Sequence, residues 1–591
     1  MNKPRFRRSI TQGREQAFGL GARTEKIFER YLFKRLDRLK SVRRFALGWM
    51  LLIGFSIAGV LIQTYNLSGY YQTVQAVSGG TYREGILGTF STANPLYATN
   101  NVDSTVTRLM FNGLYDYDAD NKLVGDLADS IKVSPNGVIY TVKLKPNLKW
   151  HDGTPLTSAD VLFTYQSIQN PDAQSPLRSS YQGITLAAPD VQTISFTLPS
   201  ALASFPNTLT NGIVPKHLLE KTPPAELRTA DFNTISPVGS GPFKWQAIQV
   251  SGSDPTKAQE QIALLPSESY HAGRPKLDRF VIHAFADRTE LIEEFNDGSL
   301  SGLSGLSNVP DNLVKNTNLQ SYNLMLTAGT YTFFKTTHPV LASQKVRQAL
   351  VQGADQAAII GQLSYPTKPV KGPLLGGQLA NDGTLGQPKY DVVAAKAALD
   401  ADGWVTGSDG FRKKGDQPLT FGLLATDSSE FKTVAKSLQK YWKDIGVKVN
   451  LRLLGPQDFQ NALSFHDYDA VLYGISIGTD PDVFVYWDST QVDIRSANRL
   501  NFSEYKNASA DSALEAGRTR LDPALRTVKY KPFLQAWQTD LPALGLYQPR
   551  ILYLTNGNIA GFEEQTINTS TDRFRNVHNW MIREAKVTNP R

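Results

Sequence analysis

Residues 419–454, LTFGLLATDSSEFKTVAKSLQKYWKDIGVKVNLRLL, decide the fold class. Two strand-like runs, Leu419–Leu424 and Lys448–Leu453, flank Ser428–Ile445, which reads as a helix. A third strand-like run follows at Asp469–Tyr473. The same alternation extends on both sides. Helices are expected at Thr289–Asn296, Gln344–Leu363, Val392–Asp400, Pro456–Leu463, Ser509–Arg518 and Pro523–Thr539. Such alternation predicts α/β lobes with mainly parallel sheets.

Upstream, the pattern changes. Glu84–Phe90 reads as a strand, Ser91–Asn100 as a loop around Pro95, and Thr105–Leu114 as a short helix. In KVSPNGVIYTVKLKPNLKW, Pro135-Asn136-Gly137 separates two strand-like runs, a hairpin signature. Thr157 or Ser158 then caps a helix through SADVLFTYQSI, and Pro-rich, strand-like pieces run to about Ile235. With 41% hydrophobic and 10% aromatic residues, the chain can bury sizeable cores, and its length requires at least two. Cysteine is absent, which excludes disulfides, thiolate metal sites, Cys nucleophiles and lipidation at cysteine.

Phe45–Ile62, FALGWMLLIGFSIAGVLI, is 18 residues without a charge. As a helix, residues 45–65 span roughly 30 Å, the thickness of a bilayer's hydrocarbon. Residues 1–44 hold 14 Lys+Arg against 4 Asp+Glu, a net of +10; the whole chain is +8, leaving −2 for residues 45–591. The basic pI therefore belongs to a tail. A basic flank ahead of an apolar helix keeps the tail in the cytoplasm and the rest outside, at the cell membrane. Anionic lipid and topology account for the arginines better than nucleic acid does, so no nucleic-acid partner is expected. Residues 23–44 read as an amphipathic juxtamembrane helix and 66–82 as a polar tether. Cleavage after Val74-Gln75-Ala76 is the alternative to an uncleaved anchor, although the apolar run exceeds a signal h-region.

Chemistry is sparse. The seven histidines lie at least 12 residues apart without ligand spacing, so no metal or cofactor is expected. Gly474-Ile475-Ser476-Ile477-Gly478 matches a nucleophile elbow, but Pro481 opposes the helix such an elbow needs, and only His578 follows the serine. A hydrolase at Ser476 is a remote alternative, and no enzyme is expected. As a loop at the end of an α/β strand, the segment occupies a position where open sheets bind ligands. Its Asp480 and Asp482, with Ser476 and the aromatic Trp487, suit a cationic or amine-bearing ligand of mixed polarity.

Seven blocks in order carry a family resemblance: NPLYATNNVDSTVTRLMFNGLYDYD; LVGDLADSIKVSPNGVIYTVKLKPNLKWHDGTPLTSADVLFTY; PVGSGPFKW; KVRQALVQGADQAAII; AAKAALDADGW; YWKDIGVKVNLRLL; and YDAVLYGISIGTDPDVFVYWDS. From about Glu84 onward the chain resembles the extracellular solute-binding proteins of peptide-type ABC importers, the oligopeptide- and dipeptide-binding group known as family 5. The resemblance implies a two-lobed α/β fold of the periplasmic-binding-protein type, with a subdomain inserted in the first lobe; the apolar run at 45–62 adds one transmembrane helix ahead of it. By position, 83–105, 235–330 and 545–591 would form the first lobe, 106–234 the insertion and 331–544 the second lobe. Crossings between lobes would lie near Tyr331–Thr337 and Leu546–Ile551.

The implied function is that of a monomeric membrane-anchored receptor. It would deliver short peptides, or another solute such as an oligosaccharide or metal chelate, to the permease subunits by cleft closure. A ligand sensor signalling through the basic tail is the alternative. Residues expected on the ligand are Asn94, Tyr97, Lys335, Ser476, Asp480, Asp482 and Trp487. The sequence departs from the family where relatives carry a Trp and an Asp in the loop and an Asn on the hinge strand; Gly474, Ile477 and Lys335 stand there.

Overall fold

The computed structural model describes residues 43–251, 259–313, 317–493, 495–496 and 499–588. Most of the basic tail and its expected amphipathic helix lie outside them. Residues 77–583 form one compact unit; the described parts of 1–76 and 584–591 belong to another.

In the smaller unit, helix Arg43–Tyr71 contains an apolar span, Phe45–Asn66, with none of its most apolar window buried. Thr64 donates its hydroxyl back to the Val60 carbonyl (2.7 Å), so the polar side chain is satisfied within the helix. The helix runs past the expected end of the anchor, and strand Gln72–Val77 pairs with Arg583–Thr588. Residues 66–82 are therefore mostly regular structure instead of an irregular tether, and Val74-Gln75-Ala76 lies inside a paired strand.

The larger unit holds two principal sheets. The first lobe has a seven-stranded sheet in the order Leu319–Met325, Arg550–Asn556, Gly302–Ser304, Thr81–Leu87, Arg279–Phe285, Gln259–Pro266, Phe243–Ser251. Its central strand, Thr81–Leu87, is parallel to both neighbours, and every other pairing is antiparallel. The second lobe has five strands in the order Lys448–Leu454, Thr420–Thr426, Ala470–Ser476, Ala328–Phe334, Ala543–Tyr547. Thr420–Thr426 is parallel to Lys448–Leu454 and Ala470–Ser476, whereas Ala328–Phe334 is antiparallel to both its neighbours. Both sheets are thus mixed. The expectation of mainly parallel sheets failed because strands near the lobe crossings and in the local hairpin enter against the βαβ direction, which helix–strand alternation does not report.

Between the lobe I strands, the insertion folds around a four-stranded antiparallel sheet, Ala128–Val133, Ile139–Leu144, Thr193–Thr197 and Thr185–Asp190. The Pro135-Asn136-Gly137 turn closes its first hairpin; Gly137 sits at φ 70°, where a side chain would be strained, and donates to the Ser134 carbonyl. The next helix, Ser158–Gln169, begins where expected: the Asp160 carboxylate accepts from the Thr157 N–H (2.8 Å), closing a capping box. The earlier helix starts at Asn101, ahead of the expected Thr105, because Asn100 caps it by accepting from the Asp103 N–H.

In the second lobe, helix Ser429–Asp444 turns Val434, Ala435, Leu438 and Trp442 onto the sheet, all at most 1% exposed. Burying a side chain of this size contributes about 1.5–3 kcal/mol. The Trp442 indole N–H donates to the Leu350 carbonyl (2.8 Å). The expected helix Gln344–Leu363 is two helices, Gln344–Gln352 and Gln356–Ile360, because Asp355 caps a new start by accepting from Ala358 N–H.

Candidate functional site

The chain crosses between the lobes twice. Leu326-Thr327 links strand Leu319–Met325 to Ala328–Phe334, and Gln548-Pro549 links Ala543–Tyr547 to Arg550–Asn556. The first crossing precedes the expected Tyr331–Thr337; the second falls within Leu546–Ile551. The two are bonded to each other: Leu326 N–H donates to the Pro549 carbonyl (2.9 Å), and Gln548 Nε2 to the Leu326 carbonyl (3.3 Å).

Register then decides what meets this hinge. In the antiparallel pair, Ala328 faces Ser476 and Phe334 faces Ala470. The loop after Ser476 therefore starts beside the crossing, and the Thr327 carbonyl accepts from the N–H groups of both Ile477 (3.0 Å) and Gly478 (2.9 Å). From the first lobe, Thr327 Oγ1 bonds Asn568 Oδ1 (2.5 Å). From the insertion, Asn207 Oδ1 accepts from Tyr117 Oη (3.2 Å) and Thr479 Oγ1 (3.5 Å). Ser204 Oγ donates to Asp482 (2.8 Å), and Ala203 N–H to the Arg518 carbonyl (2.8 Å). Both lobes and the insertion converge on residues 476–482, which makes this junction the candidate solute site. A cavity of about 210 Å³ lies beside it, between residues 198–202 and Phe205 on one side and Glu515, Arg518 and Thr519 on the other.

Four of the seven expected residues share this neighbourhood. Ser476 is exposed at the strand's end. No helix follows it until Phe484–Trp487, and His578 packs on Tyr270 in the first lobe, so no elbow forms. Asp480 is gripped bidentately by Arg526, Nη2–Oδ1 2.7 Å and Nη1–Oδ2 2.8 Å. Burial works against Arg526's charge, but the Asp480 bonds outweigh it and raise its pKa. Asp482 accepts from Ser204 and lies 3.2 Å from Arg518, whose guanidinium stacks on the Phe484 ring at 4.1 Å. Trp487 is fully buried against Phe333 and Trp537; its ring serves the core and offers no face to solvent.

The other three lie elsewhere. Lys335 follows the far end of strand Ala328–Phe334, about 20 Å from Ser476 at the usual rise per residue. Its ammonium donates to the His466 carbonyl (3.0 Å) and lies 3.6 Å from Glu504. Burial pushes the Glu504 carboxyl up, but bonds from His466 and Thr337 and the Lys335 charge win, holding it at about 2. Asn94 is fully buried, its amide spent on Asn233 (2.9 Å) and the Leu96 N–H (3.0 Å). Tyr97, 7% exposed, sits in the core shared by the first lobe and the insertion. A cavity of about 760 Å³ is lined by residues within 351–390 and by Gln538, all of the second lobe, so it does not sit where the lobes meet.

Sequence reading missed Arg518, Arg526, Ser204, Asn207, Tyr117 and Thr327. None has a local signal; Arg526 lies 46 residues from Asp480 and Ser204 278 residues from Asp482. Among the described residues, no group of three or more His, Asp or Glu could hold a metal ion.

Two lobes on mixed sheets, an inserted subdomain and paired crossings at a polar junction define a two-lobed binding protein of the periplasmic type. Residues 122–495 match the bacterial extracellular solute-binding proteins, family 5, and the chain belongs to that family. The oligopeptide-binding protein AppA of Bacillus subtilis is 26% identical over 519 residues, covering 85% of this chain and 92% of its own. Its structure with a nonapeptide superposes with a TM-score of 0.67 at 25% identity, over 86% of this chain and 100% of that one. The ABC transporter substrate-binding protein CtaP of Listeria monocytogenes gives a TM-score of 0.73 at 25% identity, over 85% and 99%. NikZ of Campylobacter jejuni, in complex with Ni(L-His), shares the fold with a TM-score of 0.70 at 23% identity, over 85% and 99%. The relatives in this family are substrate-binding proteins rather than enzymes.

Proposed function

We propose that this protein is a monomeric, membrane-anchored receptor that closes its two lobes over a solute and presents it to the permease subunits of an ABC importer, with short peptides as the cargo. The observation that carries the reading is the hinge. Among the described residues, the chain links the two sheets at Leu326-Thr327 and Gln548-Pro549, which are bonded to each other, and the 476–482 loop rests on the first of them. A rotation of one lobe on the other needs backbone changes at those few residues alone. The peptide-binding activity of AppA supports the cargo.

Anchoring rests on helix Arg43–Tyr71. Its 22-residue apolar span, 45–66, reaches about 33 Å at 1.5 Å per residue. The basic tail would lie inside the cell and the lobes outside. Small-angle scattering of the full chain in detergent, with and without a random tetrapeptide pool, tests closure. A smaller radius of gyration with peptide is expected; an unchanged radius, with no peptide retained in native mass spectra, would sink the reading. Protease added to intact cells should remove the lobes and spare the tail.

A further inference from the structure

We infer that the solute is recognised without a cationic group: the junction reads it through neutral hydrogen bonds, and a free amine contributes nothing to binding. This rests on the solute-receptor reading above and narrows its cargo. The sequence offered two carboxylates, Asp480 and Asp482, as anchors for an ammonium. In the fold each is already matched by an arginine. Asp480 spends both oxygens on the Arg526 guanidinium, and Oδ1 also accepts from the Asp482 N–H (3.0 Å). Asp482 Oδ2 takes Ser204 and faces Arg518. Of the other acids near Tyr117, Asp116 is paired with Arg108 at 2.5 Å, and Asp572 is occupied by the N–H groups of Asn568 (2.9 Å) and Thr569 (3.0 Å).

An ammonium entering here would give up its water to reach carboxylates whose charge is already balanced, or would have to expel a buried arginine. Ile477, between Ser476 and Asp480 in sequence, is apolar and 7% exposed. The capacity left over is neutral. The Ser476 hydroxyl is exposed; the Tyr117 and Thr479 hydroxyls, having donated to Asn207, can still accept; and Asn207 keeps an amide hydrogen beyond the one given to the Ser204 carbonyl. Such a set fits amide and hydroxyl groups, as in a peptide backbone away from its amino terminus.

The test is calorimetric titration of the full chain in detergent with one random tetrapeptide pool, free or N-acetylated. The expected result is dissociation constants within threefold of each other. Binding of the free pool tenfold or more tighter overturns the inference while leaving the receptor reading intact. Ser476→Asp adds an unpaired carboxylate at an exposed position and should create a preference for the free pool of about tenfold; no shift in preference overturns the claim that this loop faces the solute. If neither pool binds, the peptide cargo fails. Solute released from the purified chain by heat is then treated with an amine-reactive label. A labelled primary amine overturns the inference, and an unlabelled solute upholds it.

Discussion

Replacing Arg526 with methionine removes the partner of Asp480 while keeping most of the side-chain volume. The pair is well shielded, with side chains 7% and 16% exposed, so solvent screens little of the loss. Breaking such a pair from one side costs about 3–5 kcal/mol, because the remaining charge stays buried without compensation. Here the lower end applies, since Asp480 keeps the Asp482 N–H. The variant also strands the Gly517 carbonyl, which accepts from Arg526 Nε at 3.2 Å. Urea unfolding followed by tryptophan fluorescence reads the change, because Trp487 and Trp537 lie in the same lobe's core. Adding Asp480→Asn should recover about 1–2 kcal/mol, as a neutral amide can still use the Asp482 N–H. A loss below 1 kcal/mol for Arg526→Met, or a double variant no more stable than the single, would refute the buried-pair argument.

Three further outcomes are expected. Burial, with help from the Lys244 charge, lowers the His151 pKa to about 4; Nδ1 accepts from Gly239 N–H while Nε2 faces the Gly241 carbonyl, so the neutral ring satisfies both. The unfolded chain then binds the extra proton below about pH 6.5, so this stability is complete above that value and is lost as pH falls toward 4, about 2 kcal/mol of it by pH 5. His151→Gln should shrink the loss between pH 7 and pH 5 by that amount, and an equal loss in both proteins would refute it. Lys335→Met should leave solute affinity within twofold and cost about 1 kcal/mol of stability; a tenfold loss of affinity would contradict its place at the far end of its strand. Gly239→Ala puts a Cβ 1.8 Å from the Met110 carbonyl and should cost about 1–3 kcal/mol, whereas Gly376→Ala meets nothing within 4 Å and should be neutral in the same thermal melt.

His151 and Gly239 also explain two of the blocks that carry the family resemblance. His151 and Gly239 lie 88 residues apart, and the WHDG and PVGSGPF segments meet through the His151 imidazole and through its backbone N–H, which donates to the Gly239 carbonyl (2.8 Å). Neither segment's composition reveals the contact. What could be read locally was read: the hairpin at 135–137, a helix start capped at Thr157 or Ser158, the helix at 429–444 and the apolar span of 45–66 all follow from spacing over a few residues.

The candidate site was legible only as a loop. Ser476, Asp480 and Asp482 do gather at the lobe junction, because the strand before them ends there. Their chemistry did not follow from their residue types. Two aspartates suggested a seat for a cation until the fold brought Arg526 and Arg518 against them.

The sequence by itself determined the apolar span of 45–66, the helices and strands with many of their caps and turns, and the presence of two lobes. These depend on interactions within a few residues and on how many apolar side chains are available to bury. Tertiary structure alone decided the direction of the strands, which end of strand 328–334 meets the hinge, and which charges are already neutralised. Those depend on register and on pairings between residues tens to hundreds of positions apart, where local propensity carries no information. Lys335 is the plainest case: the antiparallel register with 470–476 sets it at the end of the sheet opposite the 476–482 loop.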